Sequence, residues 1–202
     1  DAAHHLSPPL GDYACYSFQA IKFLTTGDGG ALWCPSQQLE RARLLRWYGL
    51  DRRSTADFRC AQNIHEVGYK YHMIDIAAAI GLANIGGVRE LIGRHQANAH
   101  DYFMKISSTL AVPRWDAQSP WWLYTLLVED RAGFIAHMAD RGIAASPVHA
   151  RNDTHAAFRY PNGPLPGVDH FAARNVAIPV HWALTSDDRA RVIEAVQQWR
   201  SV

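Results

Sequence analysis

A surplus of charge of either sign is missing. Lysine and arginine number 20 against 19 aspartates and glutamates, a formal charge of +1 over 202 residues. Nothing here neutralises a nucleic-acid backbone or an anionic membrane, so neither is expected as a partner. Cysteine is scarce: Cys15, Cys34 and Cys60 are odd in number, widely spaced and form no C-x-x-C pair. That speaks against a disulfide framework and a thiolate zinc site. No metal is expected, and a reducing cytoplasm is the default compartment. Long hydrophobic runs are also lacking. The apolar stretch 76–88 contains glycines and falls short of the ~20 residues a bilayer needs. The opening Asp1-Ala2-Ala3-His4-His5 has neither the basic nor the apolar region of a secretory signal. It also lacks an initiator methionine, which points to a trimmed start or a piece of a longer protein. Repeats and low-complexity tracts are absent.

What remains is a globular composition, with 48% apolar and 19% charged residues. The length suits one large domain or two small ones. Residues 13–18 (YACYSF) read as a buried strand, and residues 31–34 as a second. Gly27-Asp28-Gly29-Gly30 between them is a turn. Ser36 is a candidate N-cap for a helix carrying Leu39, Ala42 and Leu45, which Gly49 ends. Arg41, Arg43 and Arg46 on that helix form a solvated face with Glu40. Residues 51–66 show no period and read as a long loop. Ile76, Ala79, Ile80 and Ala83 mark a helix that Gly86-Gly87 should break, with a second helix from Val88 to about Leu110. Residues 121–128 read as a central strand, 131–141 as a helix, and 143–148 as an edge strand because of Pro147. The Pro/Gly-rich stretch 160–167 reads as loop. Thr185-Ser186-Asp187-Asp188 is a capping box for a helix with Val192, Ala195, Val196 and Trp199 on one stripe.

One constellation carries chemistry. Lys22 follows the first strand and precedes Thr25-Thr26-Gly27-Asp28-Gly29-Gly30. A lysine partly desolvated in such a turn suits a neutral nucleophile toward an aldehyde. Ser17 offers a hydroxyl to a phosphate. Asp1, beside two alanines, is a carboxylate that a flat ring can approach and that can hold a pyridine nitrogen protonated.

The segments DAAH, CYSFQAIKFLTTGDGGAL, LLRWYG and GYKYHMIDIAAAIGLANI, in this order, closely resemble the DegT/DnrJ/EryC1/StrS family of pyridoxal-phosphate sugar aminotransferases. The likeness is strong over residues 1–92 and weaker beyond. It implies an α/β architecture: part of the large domain of a fold-type I aminotransferase, residues 1–86, plus a small C-terminal α+β domain, residues 87–202. Lys22 stands where the family has its Schiff-base lysine, Ser17 where a hydroxyl binds the cofactor phosphate, and Asp1 where a carboxylate meets the pyridine nitrogen. His4 stands at a position close to the cofactor ring. Lysine at position 22 separates the chain from related dehydratases that carry histidine there. At Lys70 the family often has an asparagine that reaches the neighbouring subunit's cofactor phosphate, and a cation suits the same role. His149 and Arg151 lie after a strand where family members place a substrate-facing segment.

The resemblance therefore implies pyridoxal 5′-phosphate as cofactor, and a nucleotide-linked 4-keto-6-deoxyhexose and an amino acid, glutamate by expectation, as substrates. It also implies a homodimer with Tyr69, Lys70 and Tyr71 at or beside the two-fold interface. The product would be an amino sugar for polysaccharide, lipopolysaccharide or glycolipid assembly. Two departures stand out. The connection from DAAH to GDYACYSF is short, and the family's first half, with its phosphate-cradling loop, has no counterpart here. The alternative reading is accordingly a non-catalytic remnant, or a half-protein needing a separately encoded N-terminal partner.

Overall fold

The computed structural model describes residues 11–54, 59–106, 110–158 and 163–200. The chain divides into two compact units, Asp1–Arg89 and Glu90–Val202.

In the first unit, β1 (Ala14–Ser17) and β2 (Gly30–Trp33) pair antiparallel, Ala14 opposite Trp33 and Ser17 opposite Gly30. Gly30 fits because a Cβ there would lie 2.6 Å from the Tyr16 carbonyl oxygen. The hairpin is not buried, contrary to its aromatic composition: Cys15, Tyr16, Ser17 and all of β2 are exposed. Among the described residues the sheet has only these two strands.

Ser36 does not cap. It begins a 3₁₀ turn, Ser36–Gln38, in which the Gln38 N–H already donates to the Pro35 carbonyl, and α1 follows at Leu39–Leu45. Tyr48 and Gly49 then adopt positive φ of 56° and 78°, and the Gly49 N–H closes onto the Leu44 carbonyl. A 3₁₀ turn, Arg59–Ala61, interrupts the expected loop 51–66.

α2 (Asp75–Asn84) leads through a 3₁₀ turn, Ile85–Gly87, into α3 (Val88–Ile106). The two glycines tighten the helix rather than break it. The helical run Asp75–Ile106 is therefore long and apolar enough, by length and composition, to cross a membrane. α3 nevertheless carries Arg89, Glu90 and Arg94, and buries His95, Asn98, Ala99, Tyr102 and Ile106.

The second unit has the closed core. β3 (Tyr124–Leu127) pairs antiparallel with β4 (Asn175–Ile178). Single bridges, Ala111 to Leu127 and Ser146 to Ala177, add an outer lane on each side. The expected strand 143–148 is reduced to that one bridge, since the next residue, Pro147, has no N–H to extend the ladder. The strand expected over 121–128 is shortened at its start, where Trp121 takes φ 50°. β4, buried at every position, was not anticipated. Nor was α5 (Pro166–Arg174), because Pro166 reads as a breaker yet opens the helix.

α4 (Arg131–Ala139) is capped by Asp130, whose carboxylate accepts from the Gly133 N–H at 2.9 Å. α6 (Ser186–Gln198) starts with the anticipated capping box. Thr185 Oγ1 accepts from the Asp188 N–H at 3.1 Å, and the Asp188 carboxylate accepts from the Thr185 N–H at 3.0 Å. Val192, Ala195 and Val196 are buried, and Trp199 packs edge-on against Phe134. Each fully buried large side chain, such as Phe134, Leu126 or Met138, contributes about 1.5–3 kcal/mol over leaving it in water.

Two buried tyrosines in edge contact allow a clean comparison. Tyr102 Oη donates to the Pro179 carbonyl at 2.8 Å, whereas Tyr124 Oη is buried with no partner among the described residues. Burial pushes the Tyr124 phenol up to about 12. Tyr102→Phe should cost about 1 kcal/mol, and Tyr124→Phe should be neutral or stabilising, measured by denaturant unfolding.

His95 sets a pH dependence. Its Nδ1 lies 3.0 Å from the Trp121 carbonyl oxygen, and burial pushes the imidazole below its ordinary range. Above pH ~6.5 it is neutral both folded and unfolded. As pH falls below that value the unfolded chain takes up the proton first, so stability is lost toward the depressed native pKa. The melting temperature should fall through this window, and His95→Gln should make the slope shallower.

Candidate active site

The loop that closes the β1–β2 hairpin is built on its own backbone. Phe18 N donates to Gly29 O, Thr26 N to Phe18 O and Lys22 N to Gln19 O, each at 2.9 Å. Thr25 Oγ1 accepts from the Gly27 N–H at 3.0 Å, and Thr26 Oγ1 donates to the Asp28 carbonyl at 2.6 Å. Gly29, at φ 145°, is required twice over: besides its backbone conformation, a Cβ there would meet Thr26 Oγ1 at 2.8 Å. Lys22 sits half-buried in this loop, and Ser17 stands exposed at its neck. Ser17 Oγ accepts a long 3.4 Å contact from the Gln19 N–H. Among the described residues its own hydroxyl proton is committed to no acceptor.

Two residues of α2 pin the loop from beside it. Asn84 Nδ2 donates to the Thr25 carbonyl at 3.0 Å. Gly81 lets the helix approach, since a Cβ there would lie 2.9 Å from Thr26 Cγ2. Neither was singled out from the sequence. A glycine inside a helical pattern is the one available signal for Gly81; for Asn84, 59 residues from its partner, there is none.

The segment 69–71 is zipped to the end of α1. Tyr69 N donates to Leu45 O at 2.6 Å, Tyr48 N to Tyr69 O at 3.1 Å and Tyr71 N to Arg46 O at 2.9 Å. Tyr69 and Tyr71 are exposed and stack on each other, centroids 5.1 Å apart. Lys70 Nζ lies 4.6 Å from the Trp47 ring centroid and 3.4 Å from His72 Nδ1. Burial first, and Lys70 next, push the His72 imidazole below its ordinary range. Arg41 turns away from Glu40 to a bidentate pair with Glu66, at 2.9 and 2.5 Å.

In the second unit, Arg151 is engaged by two carboxylates. Its Nε and Nη2 donate to Asp153 at 2.9 and 2.6 Å, and its Nη1 donates to Asp169. These hydrogen bonds raise the guanidinium pKa and hold the Asp153 carboxyl below its ordinary range. A substrate anion would have to compete with both. His149 is exposed, its ring 6.3 Å from that of Trp122. Asp1 and His4 lie outside the described residues. Cys15, Cys34 and Cys60 are free thiols. Among the described residues no cluster of His, Cys, Asp and Glu is arranged to hold a metal.

The structure brings Ser17 and Lys22 together on one hairpin. Lys70 belongs to a second cluster with Trp47 and His72.

The chain as a whole resembles known proteins. The chain matches the sugar aminotransferase CalS13 of Micromonospora echinospora at 40% identity and a TM-score of 0.86, over 96% of this chain and 55% of that one. It matches AtS13 of Actinomadura melliaura at 37% and 0.85, over 95% and 52%. An uncharacterized protein of Methanocaldococcus jannaschii is 28% identical over 98% of this chain and 58% of its own length. The chain thus spans about half the length of the relatives it matches. The sequence profile of the DegT/DnrJ/EryC1/StrS aminotransferases fits residues 6–197, and the chain belongs to that family.

Proposed function

We propose that the chain carries the lysine-bearing half of a pyridoxal-phosphate-dependent nucleotide-sugar aminotransferase. The reaction moves an amino group from an amino acid, glutamate in this reading, to a nucleotide-linked 4-keto-6-deoxyhexose. The observation that carries the proposal is the hairpin: the Ser17–Gly30 string folds into a backbone-locked loop presenting a hydroxyl and a primary amine.

These residues fit the cofactor. Its aldehyde calls for a primary amine, which Lys22 supplies from a half-buried position. Its phosphate calls for a donor, and the Ser17 hydroxyl has a proton to give. Bound pyridoxal 5′-phosphate supplies an electron sink that acidifies the donor's Cα–H. Lys22 would hold the cofactor through Nζ, and the same amine would be the group placed to take a proton from the donor's Cα. In this reading Asp1 would keep the pyridine nitrogen protonated, and His4 would serve beside the ring. Lys70 is directed to a neighbouring subunit's phosphate. His149 and Arg151 face the substrate, Arg151 after exchanging one of its carboxylates. The domain division 1–86 and 87–202 belongs to the same reading.

A homodimer is part of the proposal, supported by the exposed Tyr69–Tyr71 stack and by α2, where Ile76 and Leu82 are 71% and 75% exposed. Apolar surface on this scale marks a protein–protein contact. The same exposure favours a second reading, in which the chain is a half-protein completed by a separately encoded N-terminal partner.

The test is reductive trapping. The sequence has three lysines, Lys22, Lys70 and Lys105. Borohydride reduction with pyridoxal phosphate, followed by peptide mapping, should label Lys22. Equal labelling of all three, or none, would remove the assignment.

A further inference from the structure

Among the described residues, Arg151 is the only guanidinium of the second unit held by two carboxylates. One cation against two anions leaves a carboxylate in surplus, and the two are not held alike.

Asp153 meets Arg151 as a fork. Both its oxygens accept, from Nε at 2.9 Å and from Nη2 at 2.6 Å. The pair lies within one short loop that is bonded to itself. Thr154 Oγ1 donates to the Arg151 carbonyl at 2.9 Å, and the His155 N–H donates to the Asn152 carbonyl at 3.1 Å. Arg151 and Asp153 are shielded to the same degree, their side chains 24% and 23% exposed. Asp169 differs in each respect. It reaches Arg151 through one oxygen, Oδ1, which accepts from Nη1. It comes from the first turn of α5, 18 residues along the chain. Its side chain is 55% exposed. A two-bond fork outweighs a single bond, and exposed ion pairs contribute least. The guanidinium edge that bears Nη1 is thus the one that can change partner.

We propose that Asp169 is a resident anion on Arg151: an incoming carboxylate displaces it from Nη1, while Asp153 stays and keeps the guanidinium in place. The exchange conserves charge at Arg151, since one carboxylate leaves as another arrives. Asp169 is not stranded by it. Its freed carboxylate remains in solvent and in the first turn of α5, where negative charge is favoured. Asp153 is then a positioning residue, and Asp169 an internal competitor that sets how tightly an anion is taken. A neutral group would give up an ion pair for a plain hydrogen bond, so the same contact discriminates against it. Assigning the carboxylate to the amino donor rests on the function proposed above; the unequal hold of the two aspartates does not.

The experiment compares two substitutions that change charge equally. Succinate, a dicarboxylate with no amine to react, is titrated calorimetrically into the full chain. Asp169→Asn should tighten binding about tenfold by removing the competitor. Asp153→Asn should weaken it about tenfold, the size expected for losing a charge-assisted contact that orients Arg151, and Asp153→Glu should recover part of that loss. Removal of negative charge alone would tighten binding in both variants, and a general loss of structure would weaken it in both. Opposite signs are produced by neither. Asp187→Asn, in the first turn of α6, should leave the affinity unchanged. Asp169 is exposed and singly paired, so its variant should fold and stands as a test by itself. Shifts of the same sign in the two folded variants would overturn the proposal. So would an affinity that Asp169→Asn leaves unaltered, or succinate binding undetectable in both the parent and Asp169→Asn. Borohydride trapping at Lys22 reads the function separately, so either result can fail alone.

Discussion

Lys22→Ala should reduce amino transfer by about 10²–10⁴-fold or more, the range associated with losing a positioned proton-transfer group. The loop itself should persist, because its locking bonds are backbone contacts such as Lys22 N to Gln19 O, together with hydroxyl bonds from Thr25 and Thr26. An unchanged far-ultraviolet spectrum with abolished turnover is therefore the expected pair of results. The assay is keto-sugar-dependent consumption of glutamate. Turnover within about tenfold of the parent would exclude Lys22 as the reacting amine.

The largest structural effect should come from Gly68. A Cβ there would lie 2.2 Å from Gly49 N, 2.6 Å from Tyr48 C and 2.9 Å from Leu45 O, all backbone atoms that cannot rotate aside. Gly49 faces the same restriction, with a Cβ 2.4 Å from Glu66 O. The two chain segments cross in direct backbone contact, and the crossing places Tyr69, Lys70 and Tyr71 against α1. Gly68→Ala should cost about 3 kcal/mol and lower the melting temperature of the first unit by about 10–20 °C. Gly86 and Gly87 give the contrast. Neither has an atom within 4 Å of a Cβ, and both lie in helical backbone, so alanine there should stabilise by about 0.4–1 kcal/mol.

The candidate site was legible where its geometry is local. The string around Lys22 encodes its loop through hydroxyls and glycines a few residues apart, and Thr185 with Asp188 encodes its cap in the same way. Legibility failed where tertiary context decides. β4 follows α5 with no turn between Arg174 and Asn175, so no punctuation announced it. Pro166 and Ser36 carry ambiguous signals, since proline opens helices as well as ending them. The Trp47 cluster was hidden for another reason. Arg46 reads as one more charge on a solvated helix face until Lys70 and His72 are folded back beside Trp47. The exposure of β1 was unreadable in principle, because composition states what a strand prefers to touch and not whether this chain supplies it.

The closing loop of the hairpin also constrains how this sequence can change. Phe18 N–Gly29 O and Thr26 N–Phe18 O fix both how many residues the loop holds and the register of the strands that feed it. Because strand faces alternate residue by residue, inserting or deleting one residue within β1 would carry Ser17 to the opposite face of the sheet. Side chains such as Ile21, exposed at 61%, can vary while the spacing from Ser17 to Lys22 cannot. Along this stretch, drift should accumulate as substitutions and almost never as changes in length.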